Sequence, residues 1–124
     1  MNQVVITVIL AGLLPIACAA LAKWGFKDYN NREPRTWLSS QEGWRARANA
    51  AQQNSFEIFP LFATSVIFAI LAETEISRIS PLCWFFLVTR FIYIYFYITD
   101  KALMRTFVWL LGLGVILKLF LFAI

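Results

Sequence analysis

Two polar side chains, Asn54 and Glu57, lie where residues 44–61 pass without a break from a polar stretch into a membrane-length apolar run. A carboxylate at this depth is costly, because hydrocarbon cannot replace its hydration shell, so it usually faces a bundle interior and marks a site. The three-residue spacing puts both side chains on one helix face, and Arg47 lies two turns before Asn54 on roughly the same stripe. The three residues predict a polar site at the membrane surface.

A second polar set follows in the next apolar segment, where Arg90, Tyr93 and Tyr97 are spaced i, i+3, i+7 and share a helix face. We expect Arg90 to reach the carboxylate of Glu57. This pattern has two interpretations: a ligand site, or a structural buried ion pair with Asn54 as an interhelical hydrogen-bond donor. Tyrosines near a membrane interface are also typical of an aromatic belt.

Composition identifies the class of protein that must position these residues. The 124 residues are 60% hydrophobic and 15% charged, which is typical of a single membrane domain over residues 1–124 and not of a soluble globule. There is no histidine, and Cys18 and Cys83 lie in apolar segments. We therefore predict no metal site, and any chemistry is expected to depend on a bound cofactor. The net charge of +4 is modest and no RNA- or DNA-binding motif is visible, so we expect no nucleic-acid partner.

Four apolar segments predict an all-α, multi-pass membrane bundle: Val4 to Ala22, about Glu42 to Ala72, Leu82 to Ile98, and about Arg105 to Ala123. Residues 23–43 are predicted to form a polar, aromatic loop. Ser39 with Glu42 predicts a capping box for the second helix, and Pro81 is expected to initiate the third.

Cations near the segment ends predict the topology. Eight follow the first and third segments: Lys23, Lys27, Arg32, Arg35, Arg45, Arg47, Lys101 and Arg105. Only Arg78 and Lys118 lie on the opposite side. The positive-inside rule then places both termini on the non-cytoplasmic side and the basic loops in the cytoplasm.

The chain resembles the MAPEG superfamily, the membrane-associated proteins in eicosanoid and glutathione metabolism. The resemblance rests on the run R-A-x-x-A-x-x-N-x-x-E-x-x-P over residues 47–60, on R-x-x-Y-x-x-x-Y over residues 90–97, and on Arg105 at the start of the last helix. It is similar to the short bacterial branch, which implies an inner-membrane homotrimer of four-helix subunits. It further implies glutathione held between subunits on the cytoplasmic side, with an apolar substrate arriving from the bilayer.

Residue roles follow from the same resemblance. The expected glutathione-binding residues are Arg47, Asn54, Glu57, Arg90, Tyr93 and Tyr97, with Glu57 recognising the amino end of the tripeptide. Arg105 is expected to be catalytic, holding the glutathione thiol as thiolate, which a nearby cation favours. The implied activity is that of a glutathione-dependent transferase or peroxidase acting on apolar electrophiles.

Two positions depart from the pattern of relatives. Ala50 stands where they carry arginine, and Ile58 where they often carry tyrosine. These differences motivate an alternative, a non-catalytic lipid-binding or scaffold protein that keeps the fold. A small multidrug transporter is less favoured, because such proteins place their key carboxylate in the first span, which here has no charge.

Overall fold

The computed structural model describes all 124 residues and is entirely helical. It contains five helices: α1 Asn2–Lys23, α2 Pro34–Ser39, α3 Gly43–Leu71, α4 Ile76–Ile98 and α5 Ala102–Phe120. The helices α1, α3, α4 and α5 are each long and apolar enough to cross a membrane. The prediction of an all-α chain with four spans is confirmed.

The third span begins earlier than predicted. Its first residue is Ile76, its N-cap is Glu75, and Pro81 lies inside the helix, so the prediction that Pro81 initiates it is wrong. A proline lacks only one backbone donor, and membrane helices accommodate the carbonyl that this leaves free. Pro15 in α1 and Pro60 in α3 are accommodated inside their helices in the same way.

Residues 23–43 are more ordered than the predicted loop. They contain α2, which begins at Pro34, where a proline suits the first helical position. The ring of Trp37 on α2 lies 5.1 Å from those of Phe26 and Tyr29, centroid to centroid, and Leu38 packs into a small core. These side-chain contacts stabilise helical structure in a segment whose local sequence is typical of a loop.

The predicted capping box is also wrong. Ser39 ends α2, and its hydroxyl donates to the carbonyl of Thr36 at 2.8 Å, so it does not cap the following helix. The N-cap of α3 is Glu42, which makes no side-chain capping bond, and Gly43 adopts a φ of +61° as the helix starts. A glycine takes this backbone conformation without steric cost.

The centre of the bundle is formed by α3 and α4, with α1 and α5 packed against both. Short connections at residues 72–75 and 99–101 make α4 antiparallel to both α3 and α5. In the core, the rings of Phe62 and Phe86 stack with centroids 3.9 Å apart. Small residues such as Ala11, Ala69 and Gly112 are buried where helices approach closely, as is usual in membranes.

Large apolar side chains cover the outside of every long helix. Only 29 of the 124 residues are buried, and Ile16, Ile67, Phe91 and Phe107 are each about half exposed or more. A water-soluble monomer rarely exposes such continuous apolar surface. The outer faces of the helices are therefore suited to contact with lipid or with other membrane helices.

The close approach of α4 and α5 at Gly112 can be tested with a neighbouring glycine as the control. A Cβ at position 112 would lie 3.1 Å from the Thr89 hydroxyl oxygen and 3.8 Å from the Phe86 ring, whereas one at Gly114 would meet nothing within 4 Å. We expect Gly112→Val to cost about 1–3 kcal/mol of stability through overpacking. Gly114→Val should be nearly neutral in thermal unfolding in detergent, and equal losses would contradict the packing described here.

Candidate functional site

Arg90 is the most deeply buried charge of the chain, with 3% of its surface exposed. It lies near the middle of α4 and donates through Nη2 to Asn54 Oδ1 at 2.9 Å and to Ser55 Oγ at 3.2 Å, both on α3. Its guanidinium carbon lies 4.1 Å from the centroid of the Tyr93 ring, a distance typical of a cation–π contact. Two helices and an aromatic face thus replace part of the water that a cation would otherwise require, while the buried Nε of Arg90 makes no hydrogen bond to the protein.

The predicted contact between Arg90 and Glu57 is wrong. The guanidinium meets the amide one turn earlier, and the Glu57 side chain is exposed on the outer surface of the chain. The predicted role of Asn54 as donor in this contact is also wrong. Arginine carries only donors, so Asn54 must present its oxygen to Arg90.

The hydrogen bond from Arg90 determines which atoms of Asn54 remain available to a ligand. With Oδ1 committed to Arg90, the two N–H donors of the Asn54 amide remain for a second partner. Asn54 also lines a hollow of about 220 Å³ between α3, α4 and α5. Asn54 therefore has two hydrogen-bond donors that are available to an acceptor group.

The hollow lies at the end of the bundle where α4 ends and α5 begins. Its walls are Asn54, Tyr93, Tyr97, Arg105, Thr106 and Trp109. The rings of Tyr93 and Tyr97 meet edge to face with centroids 5.6 Å apart. The guanidinium carbon of Arg105 lies 4.2 Å from the centroid of the Tyr97 ring, so stacking holds a cation at the wall of the hollow.

Of the seven predicted site residues, the structure brings four to this hollow: Asn54, Tyr93, Tyr97 and Arg105. Arg90 contacts two of their side chains without lining the hollow.

The structure places the remaining two, Arg47 and Glu57, elsewhere. Arg47 Nε donates to the carbonyl oxygen of Ile98 at 3.0 Å, where a cation also suits the negative end of the α4 dipole. Glu57 lies three residues beyond Asn54 on α3, on the exposed face.

Three residues near the site were not predicted as part of it. Thr106 and Trp109 line the hollow, and Ser55 accepts the second hydrogen bond from Arg90. Spacing could have indicated Trp109, which follows Arg105 by four residues and so lies on the same face of a helix. Nothing in the sequence distinguishes Ser55 from other small buried residues of α3.

The walls of the hollow favour an anionic or acceptor-rich ligand. The Asn54 amide and the Arg105 guanidinium supply donors, the Trp109 indole can supply another, and the tyrosine hydroxyls can donate or accept. No carboxylate lines the hollow. The indole and phenol rings add apolar surface, so the site can contact the polar and the apolar parts of a ligand.

The comparison with protein families identifies the family of the chain. The model of the MAPEG family matches residues 4–124, which is nearly the whole chain. The chain belongs to the MAPEG family. Membership and the four apolar helices together make this MAPEG-family chain an integral, multi-pass membrane protein. Neither the curated proteins nor the solved structures gave a match.

The contact between Arg90 and Asn54 predicts a stability difference between two neighbouring positions. Asn54→Leu removes an acceptor from a buried cation, and we expect it to cost about 2 kcal/mol, the range for hydrogen bonds to charged groups. Gln53→Leu is the matched control, because Gln53 is exposed and makes no contact with Arg90. Denaturant unfolding in mixed micelles should give a lower free energy of unfolding for Asn54→Leu than for Gln53→Leu. Equal free energies of unfolding would show that the contact between Arg90 and Asn54 contributes nothing to stability.

Proposed function

We propose that this MAPEG-family protein is a glutathione-dependent transferase or peroxidase that acts on apolar electrophiles in the membrane. The observation that carries the proposal is the hollow itself, which joins a stacked arginine, an amide oriented as a donor and two phenols on three different helices. When bound, glutathione would supply the nucleophilic or reducing thiol.

The residues of the hollow fit a tripeptide thiol in their chemistry. Glutathione carries two carboxylates and two peptide carbonyls, and such acceptors suit the donors of Asn54 and Arg105. Arg105 is the cation that would favour a thiolate, since an opposite charge in contact lowers the pKa of a thiol. The chain needs no histidine for this, and it has none.

Ala50 and Ile58, the two departures from the pattern of relatives, do not alter the lining of the hollow. Ile58 is buried in the main core with 9% of its surface exposed, and neither it nor Ala50 is among the lining residues. We propose that Glu57 and Arg47, which lie outside the hollow of a single chain, contribute to a larger site completed by neighbouring subunits of a homotrimer. In this arrangement the protein lies in a bacterial inner membrane, and the site opens toward the cytoplasm.

One observation favours the alternative of a non-catalytic lipid-binding protein. An apolar groove of about 210 Å³ lies between α1 and α3, and all eight residues that line it are apolar, among them Val5, Val8, Val66 and Ile70. Such a groove suits an acyl chain. If this alternative holds, the purified protein should carry lipid and should not bind glutathione.

Calorimetric titration with glutathione tests the proposed ligand. We expect saturable binding to the wild type and a loss of about tenfold or more for Asn54→Asp, because a carboxylate would replace the amide donors and would repel an anionic ligand. Asn30→Asp is the control for charge, because Asn30 is exposed in the loop before α2. Undetectable binding to the wild type would remove glutathione from the proposal.

The proposed role of Arg105 predicts a change in pH dependence. A cation beside the thiol lowers its pKa, so wild-type activity should persist below the free-thiol pKa of about 8.5. In Arg105→Gln the rise of activity with pH should move upward toward that value, and the rate at neutral pH should fall about tenfold for each pH unit by which the profile moves. Lys101→Gln, outside the hollow, should leave the profile unchanged, and an unaltered profile in Arg105→Gln would exclude this role.

A further inference from the structure

Two cations converge on one aromatic ring at the opposite end of the bundle from the hollow. The guanidinium carbon of Arg78 lies 4.7 Å from the centroid of the Phe122 ring, and Nζ of Lys118 lies 5.2 Å from the same centroid. Arg78 is in the first turn of α4 and Lys118 in the last turn of α5, so the antiparallel pairing of these helices brings them together. Phe122 is held in place by packing against the core and by its backbone bond to Leu119.

Neither cation forms an ion pair in the structure, although Glu73 and Glu75 precede α4 at the same end of the bundle. Both cationic side chains are exposed and end on the ring, while the Glu75 carboxylate accepts a hydrogen bond from the Ser77 hydroxyl at 3.1 Å. Like charges held on one ring repel each other, and the repulsion is stronger at a membrane surface than in bulk water. The free N–H groups at the start of α4 add partial positive charge near Arg78, whereas the last turn of α5 carries partial negative charge near Lys118. An anion bridging the two side chains would relieve this repulsion.

The depth of the two cations indicates the source of the anion. Lys118 follows Arg105 by thirteen residues, about 20 Å along α5, so the two side chains lie toward opposite surfaces of a hydrocarbon core about 30 Å thick. Long basic side chains at such positions extend to the interface, where lipid phosphates lie. The exposed apolar surface of Leu117 and Leu121 beside Lys118 suits an acyl chain.

We propose that Arg78, Lys118 and Phe122 form a binding site for the phosphate of an anionic phospholipid in the leaflet at this end of the bundle. Both cations attract the phosphate, and contact with the ring limits the movement of each. The proposal does not depend on the proposed function, because no residue of the hollow takes part.

Native mass spectrometry of the full chain can test this site with lipids that differ only in headgroup. The protein in detergent is offered equal amounts of phosphatidylglycerol and phosphatidylcholine with identical acyl chains. We expect the wild type to retain phosphatidylglycerol preferentially, and Arg78→Gln with Lys118→Gln to weaken this preference by about 30-fold, since each interfacial cation contributes about 1 kcal/mol. Lys101→Gln, which removes an exposed cation before α5, is the control and should retain the preference.

Two further measurements keep the result interpretable. Arg78→Lys with Lys118→Arg keeps both charges and should retain the preference, and thermal unfolding in phosphatidylcholine nanodiscs should show the uncharged double variant folded. If the double variant does not fold, the single variants Arg78→Gln and Lys118→Gln decide, each with an expected loss of about fivefold. An unchanged preference in the glutamine variants, or an equal loss in Lys101→Gln, would overturn the proposal.

Discussion

The buried guanidinium of Arg90 is the constraint on which the arrangement of the site depends. A cation removed from water near the middle of a membrane helix must be satisfied by its neighbours, and here α3 supplies two oxygens and α4 supplies the face of Tyr93. These contacts favour one rotation of α3 relative to α4, because a different rotation would remove the two hydrogen bonds of the Arg90 guanidinium. They also fix which atoms of Asn54 remain available to a ligand.

The position of the hollow depends on the contacts of Arg90 and on α5, the next helix. With Tyr93 held against Arg90, the edge-to-face contact places Tyr97 at the start of α5, where its ring meets the guanidinium of Arg105. A series of contacts thus connects a charge inside the bundle to a charge at the membrane surface. The buried arginine has a positioning role in this series, and the half-buried one is available to a ligand.

Much of the fold could be predicted from the sequence, because long apolar runs have few alternatives in a membrane. The short helix α2 could not, since it depends on Trp37 packing against residues that precede it by several positions. The spacing of Tyr93 and Tyr97 correctly indicated a shared face, and the structure brings both residues and Asn54 to one hollow. The partner of Arg90 was predicted wrongly, because helix periodicity gives a face but not the relative depth of two helices. Asn54 and Glu57 share a face, and only the packed bundle shows which one meets the guanidinium.

An electron cryomicroscopy map of the protein with bound glutathione would test the central claim most directly. We expect an acceptor oxygen of the tripeptide within hydrogen-bond distance of the Asn54 amide nitrogen, its sulfur beside Arg105, and Arg90 still donating to the oxygen of Asn54. A ligand bound away from this hollow, or an Arg90 side chain turned to Glu57 with Asn54 released, would contradict the claim that the buried arginine orients the site.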